Sequence, residues 1–93
     1  MAKASARHIL VDTEEQCIDI KNQIESGADF ADLAKQHSKC PSGRRGGELG
    51  EFAPGQMVKE FDEVVFSAEL NQVQGPVKTQ FGYHLLEVTS RTD

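Results

Sequence analysis

The chain has 93 residues, of which 38% are hydrophobic and 27% charged, and its formal net charge at pH 7 is -5. A chain of this length is expected to form a single domain over residues 1–93 with one core; it has no apolar run near the roughly 20 residues of a membrane span, and its acidity argues against nucleic acid as a partner. It has no secretory signal pattern and no C-x-x-C pair, so we expect a cytoplasmic monomer with free thiols and no membrane partner.

The first predicted element is a strand over Ala6–Val11, a short apolar run that contains His8. Side chains alternate along a strand, so His8 shares a face with its apolar neighbours two positions away. The capping box Thr13–Gln16 then begins a first helix, and Gly27 is a natural stop for it. The buried stripe of this helix has the i, i+3, i+7 spacing and consists of Cys17, Ile20 and Ile24.

Asp29 is the predicted cap of a second helix that ends near His37. Its inward residues are expected to be Phe30, Leu33 and Ala34. A turn follows at Cys40–Gly43. Between Gly43 and Gly55 the chain has five glycines and a proline, so only a short edge strand, Glu48–Phe52, is predicted there.

A third helical stripe is predicted from Met57 to about Ala68. The breaker Gly75-Pro76 indicates a loop over Asn71–Pro76. Val77–Thr79 and Gln80–Val88 then form a hairpin, and the second of these segments contains His84. The resulting order of strands and helices is typical of an α+β fold with a small antiparallel sheet.

Two histidines occupy the strands at opposite ends of the chain. If these strands pair, His8 and His84 can lie side by side on one face among apolar neighbours, where they need hydrogen-bond partners or a ligand. On composition alone, a satisfied structural pair is a better interpretation than a pair of acid-base catalysts.

The other residue patterns are weaker evidence for a functional site. The spacing His37-x-x-Cys40 is a single candidate pair for zinc, whereas structural zinc sites usually have two such pairs. The glycine-rich stretch 43–50 lacks the Gly-Lys-Ser/Thr ending of a phosphate loop. Cys40 has no identifiable orienting partner for work as a nucleophile, and Met57 with Phe61 has the i, i+4 spacing of an ordinary core pair.

Five stretches of the sequence resemble a known family. They are A-R-H-I-L-V at 6–11, G-A-D-F-x-x-L-A-K at 27–35, H-S-x-C-P-S-G-x-R-G-G-x-L-G-x-F at 37–52, G-Q-M-V-x-x-F-D at 55–62 and T-Q-F-G-Y-H at 79–84. Together they cover nearly the whole chain, and they are similar to the parvulin family of peptidyl-prolyl cis-trans isomerases, above all to its bacterial single-domain members.

The resemblance implies a four-stranded antiparallel sheet wrapped by four short helices, in the order strand, three helices, strand, helix, two strands. The third helix, a short turn near 42–46, is implied by the resemblance alone. The implied activity is isomerisation of Xaa-Pro bonds in proline-containing polypeptides, without metal, nucleotide or organic cofactor. The implied catalytic residues are His8, Cys40, Thr79 and His84, and the implied substrate-binding residues are Leu49, Met57, Phe61 and Phe81.

Within this resemblance we expect the histidines to orient and to hydrogen-bond, because rotation about an amide needs no net proton transfer. A noncatalytic polypeptide-binding chaperone module is the alternative. The phosphate-directed branch of the family has cations after the first strand, whereas this chain has Asp12, Glu14 and Glu15, so we expect no preference for phosphoserine before proline. A second cluster of cations beside Cys40 leaves the question of an anion site open: Lys39, Arg44 and Arg45.

Overall fold

The structure is a computed structural model that describes residues 2–92. The four strands form one antiparallel sheet in the order β2-β1-β4-β3, and three α-helices and one 3-10 helix pack on it. The elements in chain order are β1 (Lys3–Val11), α1 (Glu14–Glu25), α2 (Phe30–His37), the 3-10 helix (Pro41–Arg45), β2 (Glu48–Phe52), α3 (Lys59–Val65), β3 (Val73–Thr79) and β4 (Gly82–Thr92). This confirms the predicted α+β fold. Among the helices of residues 2–92, none has the length and apolarity needed to cross a membrane.

The centre of the sheet is the pairing of β1 with β4, the strands from opposite ends of the chain. The register begins with Lys3 opposite Thr92 and places His8 opposite Leu86 and Leu10 opposite His84. The predicted pairing is therefore confirmed, and both strands extend further than their apolar runs indicated.

Each face of the sheet covers its own apolar cluster, because the side chains of β1 and β4 alternate between the two faces. Helices α1 and α2 close one face, and their first turns are capped by the side chains of Thr13 and Asp29. The cluster on that face consists of Ile9, Val11, Cys17, Ile20, Phe30, Leu33, Ala34 and Leu85. Helix α3 closes the other face over Ala4, Ala6, Phe52, Phe61, Val65, Leu86 and Val88.

The segment before the final hairpin differs from its prediction. Gly75 and Pro76 lie within β3 and not in a loop. The strand tolerates them because β3 is at the edge of the sheet, where a missing proline N–H removes no ladder bond to a further strand, and its register shifts between Gln74 and Val77.

Helix α3 is shorter than its apolar stripe indicated. It begins after the N-cap Val58, so Met57 lies outside the helix, and it ends at Val65. The Arg91 guanidinium on β4 donates to the carbonyl oxygens of Val65 and Ala68, at 2.9 and 2.6 Å. These bonds satisfy carbonyl oxygens to which no further helical turn donates.

The loop between the 3-10 helix and β2 lies directly against the central strand at Gly47. The His8 backbone N–H donates to the Gly47 carbonyl at 2.9 Å. Gly47 has a φ of +86°, and a Cβ built on it would lie 2.3 Å from the His8 carbonyl oxygen. Only glycine fits this contact, and the contact fixes the backbone of His8.

Candidate active site

The two histidines meet on the α3 face of the sheet. In the register of β1 and β4 they are diagonal neighbours, and such pairs are within reach of aromatic side chains. Their rings stack with centroids 5.2 Å apart and an angle of 13° between the planes. The two Nδ1 atoms are 3.1 Å apart, within hydrogen-bond distance. The predicted pair is therefore present in the structure.

Each imidazole has a hydroxyl partner on its outer nitrogen. His8 Nε2 lies 3.1 Å from Ser42 Oγ, and His84 Nε2 lies 2.8 Å from Thr79 Oγ1. Thr79 Oγ1 also accepts from the Phe81 backbone N–H at 3.2 Å. The result is a hydrogen-bonded chain that runs from Ser42 through both rings to the β3–β4 turn, and all four side chains in it are buried.

Sequence reasoning missed Ser42 as a member of this chain. The 3-10 helix places the Ser42 side chain under β1, where it is only 5% exposed. A serine after Cys-Pro is an ordinary turn residue, so its type carried no signal. The motif at 37–52 quoted above does include it, and the position was open to inference from the resemblance.

Burial keeps the pair neutral. Loss of water around the ring, with a smaller contribution from the neighbouring His84, lowers the pKa of His8 from 6.5 to about 4. Burial also lowers the pKa of His84. Both rings are therefore uncharged at neutral pH, each with one N–H.

Neutrality leaves two self-consistent proton arrangements, because the contact between the Nδ1 atoms holds one proton. If His8 Nδ1 donates, His8 Nε2 accepts from Ser42, and His84 Nε2 donates to Thr79. If His84 Nδ1 donates, His84 Nε2 accepts from the Thr79 hydroxyl, and His8 Nε2 donates to Ser42. In both arrangements every ring nitrogen has a partner, so the pair is satisfied without a ligand.

Above the histidine pair lies an open groove of about 380 Å³ whose walls are mainly apolar. Seven of the eight residues predicted for the site line it: His8, Cys40, Leu49, Met57, Phe61, Phe81 and His84. Thr79 does not line the groove; it lies behind His84 and holds that ring. Leu10, Lys39, Pro41 and Val58 complete the lining and were not predicted.

Phe61 lines the groove and also contacts both histidine rings. Its ring packs edge-on against both imidazoles, with centroid distances of 5.6 Å to His8 and 5.9 Å to His84. The side chain is 3% exposed and belongs to the apolar cluster under α3. Phe81, in the β3–β4 turn, is 61% exposed and forms the rim. Phe61 is therefore both core and groove, whereas Phe81 belongs to the groove alone.

The two cysteines differ in their surroundings. Cys40 is half-buried and lines the groove. Cys17 lies on the buried face of α1, where loss of hydration raises the pKa of its thiol to about 11. Within residues 2–92, no three His, Cys, Asp or Glu side chains converge as metal ligands. Cys40 is thus the thiol that a reagent in the groove can reach.

The charges beside the groove are partly paired. Lys39 forms an ion pair with Asp12, which follows β1. Asp12 is therefore not the uncompensated acid that its place in the sequence indicated. Glu14 and Glu15 in the first turn of α1 remain exposed.

Comparison with known proteins assigns the chain to a family. Residues 3–90 match the rotamase family described as the PPIC-type PPIase domain. The foldase protein PrsA of Geobacillus sp. (strain WCH70) is 47% identical over 92 residues, which cover 98% of this chain and 33% of that protein. The chain thus spans about a third of the length of this curated relative.

Solved structures support the same family assignment. The crystal structure of the peptidylprolyl isomerase PrsA from Bacillus anthracis has a TM-score of 0.96 and 36% identity, over 99% of this chain and 43% of that one. NmPin, the parvuline of Nitrosopumilus maritimus, has a TM-score of 0.87 and 34% identity, over 97% of this chain and 98% of that one. The chain therefore belongs to the PPIC-type, or parvulin-type, family of peptidyl-prolyl cis-trans isomerase domains.

Proposed function

We propose that the protein catalyses cis-trans isomerisation of Xaa-Pro bonds in extended or unfolded polypeptides and in this way assists protein folding. The observation that carries the proposal is an apolar groove closed at its base by a buried, neutral imidazole pair. Family membership and the foldase name of a relative support the same activity.

The apolar walls suit this reaction. Uncatalysed rotation about an Xaa-Pro bond takes tens to hundreds of seconds, because amide resonance is lost at a barrier of about 20 kcal/mol. The planar amide is more dipolar than the twisted transition state, so removal of water disfavours the planar form more strongly. Met57, Phe61 and Phe81 provide such surroundings for a proline ring. The groove thereby lowers the difference in free energy between the planar and twisted forms.

The polar groups at the base act by position. His8, His84 and Cys40 line the groove beside its apolar wall, within reach of a bound amide. A hydrogen bond to the amide nitrogen favours the twisted form, in which that nitrogen regains its lone pair. Both ring N–H groups already donate within the buried hydrogen-bonded chain, so of these three groups Cys40 is the one left to donate to substrate. Ser42 and Thr79 hold the two rings from behind. Neither a covalent bond to Cys40 nor a net proton transfer is needed.

A direct test follows the cis-to-trans exchange of a short Ala-Pro peptide by NMR, which needs no coupling protease. Catalysis predicts that exchange accelerates in proportion to protein concentration and that the cis fraction stays constant. The alternative, a noncatalytic polypeptide-binding module, predicts binding shifts in the peptide spectrum without faster exchange. This second result would overturn the proposal.

The pH dependence of stability should report the neutral histidine pair. The pKa of His8 lies below its unfolded value, so the unfolded state binds more protons between pH 6.5 and about 4. Stability should therefore be constant with respect to this group above pH 6.5 and should fall as the pH drops towards 4, with a slope of up to about 1.4 kcal/mol per pH unit. Urea unfolding across this range measures it.

Two variants separate the pair from the other titrating groups. His8→Asn removes the titration of His8 and should reduce the decline, to which His84 still contributes. His37→Gln, a histidine outside the pair, is the control variant. Isomerase activity should have no inflection near the ordinary histidine pKa of about 6.5. A steep rise in activity through that pH, with the fold intact, would show that proton transfer contributes to the reaction.

Replacement of the groove thiol should be tolerated. Cys40→Ser replaces the thiol with a hydroxyl of similar size that can also donate one hydrogen bond, so kcat/KM should stay within the same order of magnitude. Iodoacetamide should nevertheless inhibit the natural protein, because alkylation of Cys40 fills the groove while buried Cys17 does not react. Complete loss of turnover in folded Cys40→Ser that still binds peptide would indicate a special thiolate role.

The cytoplasmic location and the monomeric state stay predictions. Sedimentation velocity of the purified chain tests the second. For the residue immediately before proline we propose a preference for apolar side chains over phosphoserine, because Glu14 and Glu15 remain exposed after β1. Comparison of kcat/KM for Leu-Pro and phosphoserine-Pro peptides tests this preference.

A further inference from the structure

A second pocket adjoins the groove and has a different character. It has a volume of about 570 Å³ and lies between the end of α2 and the 3-10 helix. Its lining contains three cations and no acid: Lys35, Ser38, Lys39, Cys40, Pro41, Gly43 and Arg44. We refer to these seven residues as the cationic pocket. A concentration of positive charge is unexpected in a chain whose net charge is -5.

Two of the three cations are available to a ligand. Lys39 is paired with Asp12, so its charge is largely compensated. Within residues 2–92, Lys35 and Arg44 have no carboxylate within ion-pair distance and donate no side-chain hydrogen bond. Arg45, the neighbour of Arg44, does not line the pocket. The cation cluster in the structure therefore contains Lys35, and it does not contain Arg45, which the sequence had indicated.

The cationic pocket is adjacent to the apolar groove. Lys39, Cys40 and Pro41 line both, so the wall between them is a single stretch of chain. An extended polypeptide advances about 3.3 Å per residue. A substrate whose proline occupies the apolar groove can therefore place a side chain from a nearby position in the cationic pocket.

We infer that the cationic pocket binds an acidic side chain of the same polypeptide that presents its proline to the groove, so that the enzyme prefers substrates with Glu or Asp at one fixed distance from proline. The inference rests on the proposed isomerase function and adds a substrate class to it. Carboxylate is the chemistry that Lys35 and Arg44 recognise, and the planar Arg44 guanidinium can bind it with two hydrogen bonds.

This preference is compatible with an apolar residue immediately before proline. The exposed acids of α1, Glu14 and Glu15, follow β1, whereas Lys35 and Arg44 belong to α2 and the 3-10 helix. A negative charge on the substrate is therefore favoured at the position that reaches the cationic pocket and disfavoured immediately before proline. Since both free cations are exposed, their effect should be moderate and sensitive to salt.

The test is a scan of peptides with one central Ala-Pro bond. Glu is placed in turn at each of the three positions on either side of this dipeptide, and each Glu peptide is paired with its Gln counterpart. We expect one position at which the ratio of kcat/KM for Glu to that for Gln is about three to ten at low salt, falling towards one at about 0.5 M salt. Elsewhere the ratio should be one or below.

The variants are compared by the same ratio, which cancels general effects on turnover. Lys35→Gln with Arg44→Gln should abolish the preference, whereas Arg45→Gln, a neighbouring cation outside the pocket, should retain both the preference and basal turnover.

No preferred position in a natural protein that isomerises Ala-Pro normally would overturn the inference and leave the proposed function intact. A preference that persists in the double variant, or disappears equally in Arg45→Gln, would also overturn it. Absence of Ala-Pro turnover in the natural protein would instead reject the proposed function.

Discussion

Met57→Ala is expected to lower kcat/KM by about tenfold or more, which corresponds to a loss of at least about 1.4 kcal/mol of transition-state stabilisation. Met57 lies outside α3 with its side chain half-buried between the groove and the apolar cluster under that helix. Its removal opens the wall of the groove to water, which solvates the dipolar planar amide better than the twisted form. Exchange spectroscopy on an Ala-Pro peptide measures the loss.

Phe61 requires a gentler substitution, because its side chain is also core. Phe61→Ala would remove about 3 to 5 kcal/mol of stability and confound any loss of activity with unfolding. Phe61→Leu preserves most of the volume and removes the ring edges that contact both imidazoles. We expect it to remain folded and to lose activity.

A matched control is available for both variants. Val64 packs against the same apolar cluster but does not line the groove, so Val64→Ala should weaken the fold and preserve turnover by the folded fraction. Unchanged turnover in folded Met57→Ala would remove this residue from the site. Equal losses in Met57→Ala and Val64→Ala would show that the effect comes from the core alone.

Gly47→Ala is expected to destabilise the fold by about 2 to 6 kcal/mol. Forcing a residue with a Cβ into a left-handed conformation costs about 1 to 3 kcal/mol, and a contact as close as 2.3 Å with the His8 carbonyl oxygen requires the backbone to move at a further cost of about 1 to 3 kcal/mol. That movement also breaks the hydrogen bond from the His8 N–H to Gly47. Chemical denaturation measures the loss.

Gly55 provides the control for backbone strain. Its φ of +89° is close to that of Gly47, but a Cβ at Gly55 would meet nothing within 4 Å. Gly55→Ala should therefore be destabilised by the strain alone, and the difference between the two variants isolates the close approach to β1. Equal destabilisation in both variants would contradict the proposed contact with His8.

Alternation along the two terminal strands was sufficient to predict the histidine pair, because a period of two places His8 and His84 on one face whenever β1 and β4 are paired in register. Gly75 and Pro76 could not be predicted as part of a strand. Their effect depends on whether β3 is an edge strand, and this is a property of the sheet that the segment alone does not contain.

The groove was predictable to a similar degree. The resemblance indicated seven lining residues, because each lies within one of the quoted motifs. Pro41 and Val58 lie in those motifs too, but nothing in their residue types distinguishes a groove wall from an ordinary turn. Thr79 was assigned to the reaction, whereas the structure places it behind His84. Lys35 belongs to the same acid-free stretch of sequence but was not assigned to the candidate anion site, because the turn between α2 and the 3-10 helix, and not sequence proximity, brings it beside Arg44.

The position of Lys3 opposite Thr92 has a consequence for the way in which this unit can be combined with other polypeptides. The two points at which the chain enters and leaves the sheet are neighbours on adjacent strands. The domain can therefore be inserted into a loop of a host protein with both junctions at one location, and the segments of the host on either side need not separate to admit it. Its groove, which lies beside the opposite ends of β1 and β4 at Leu10 and His84, would then face away from the host and remain open to a passing chain.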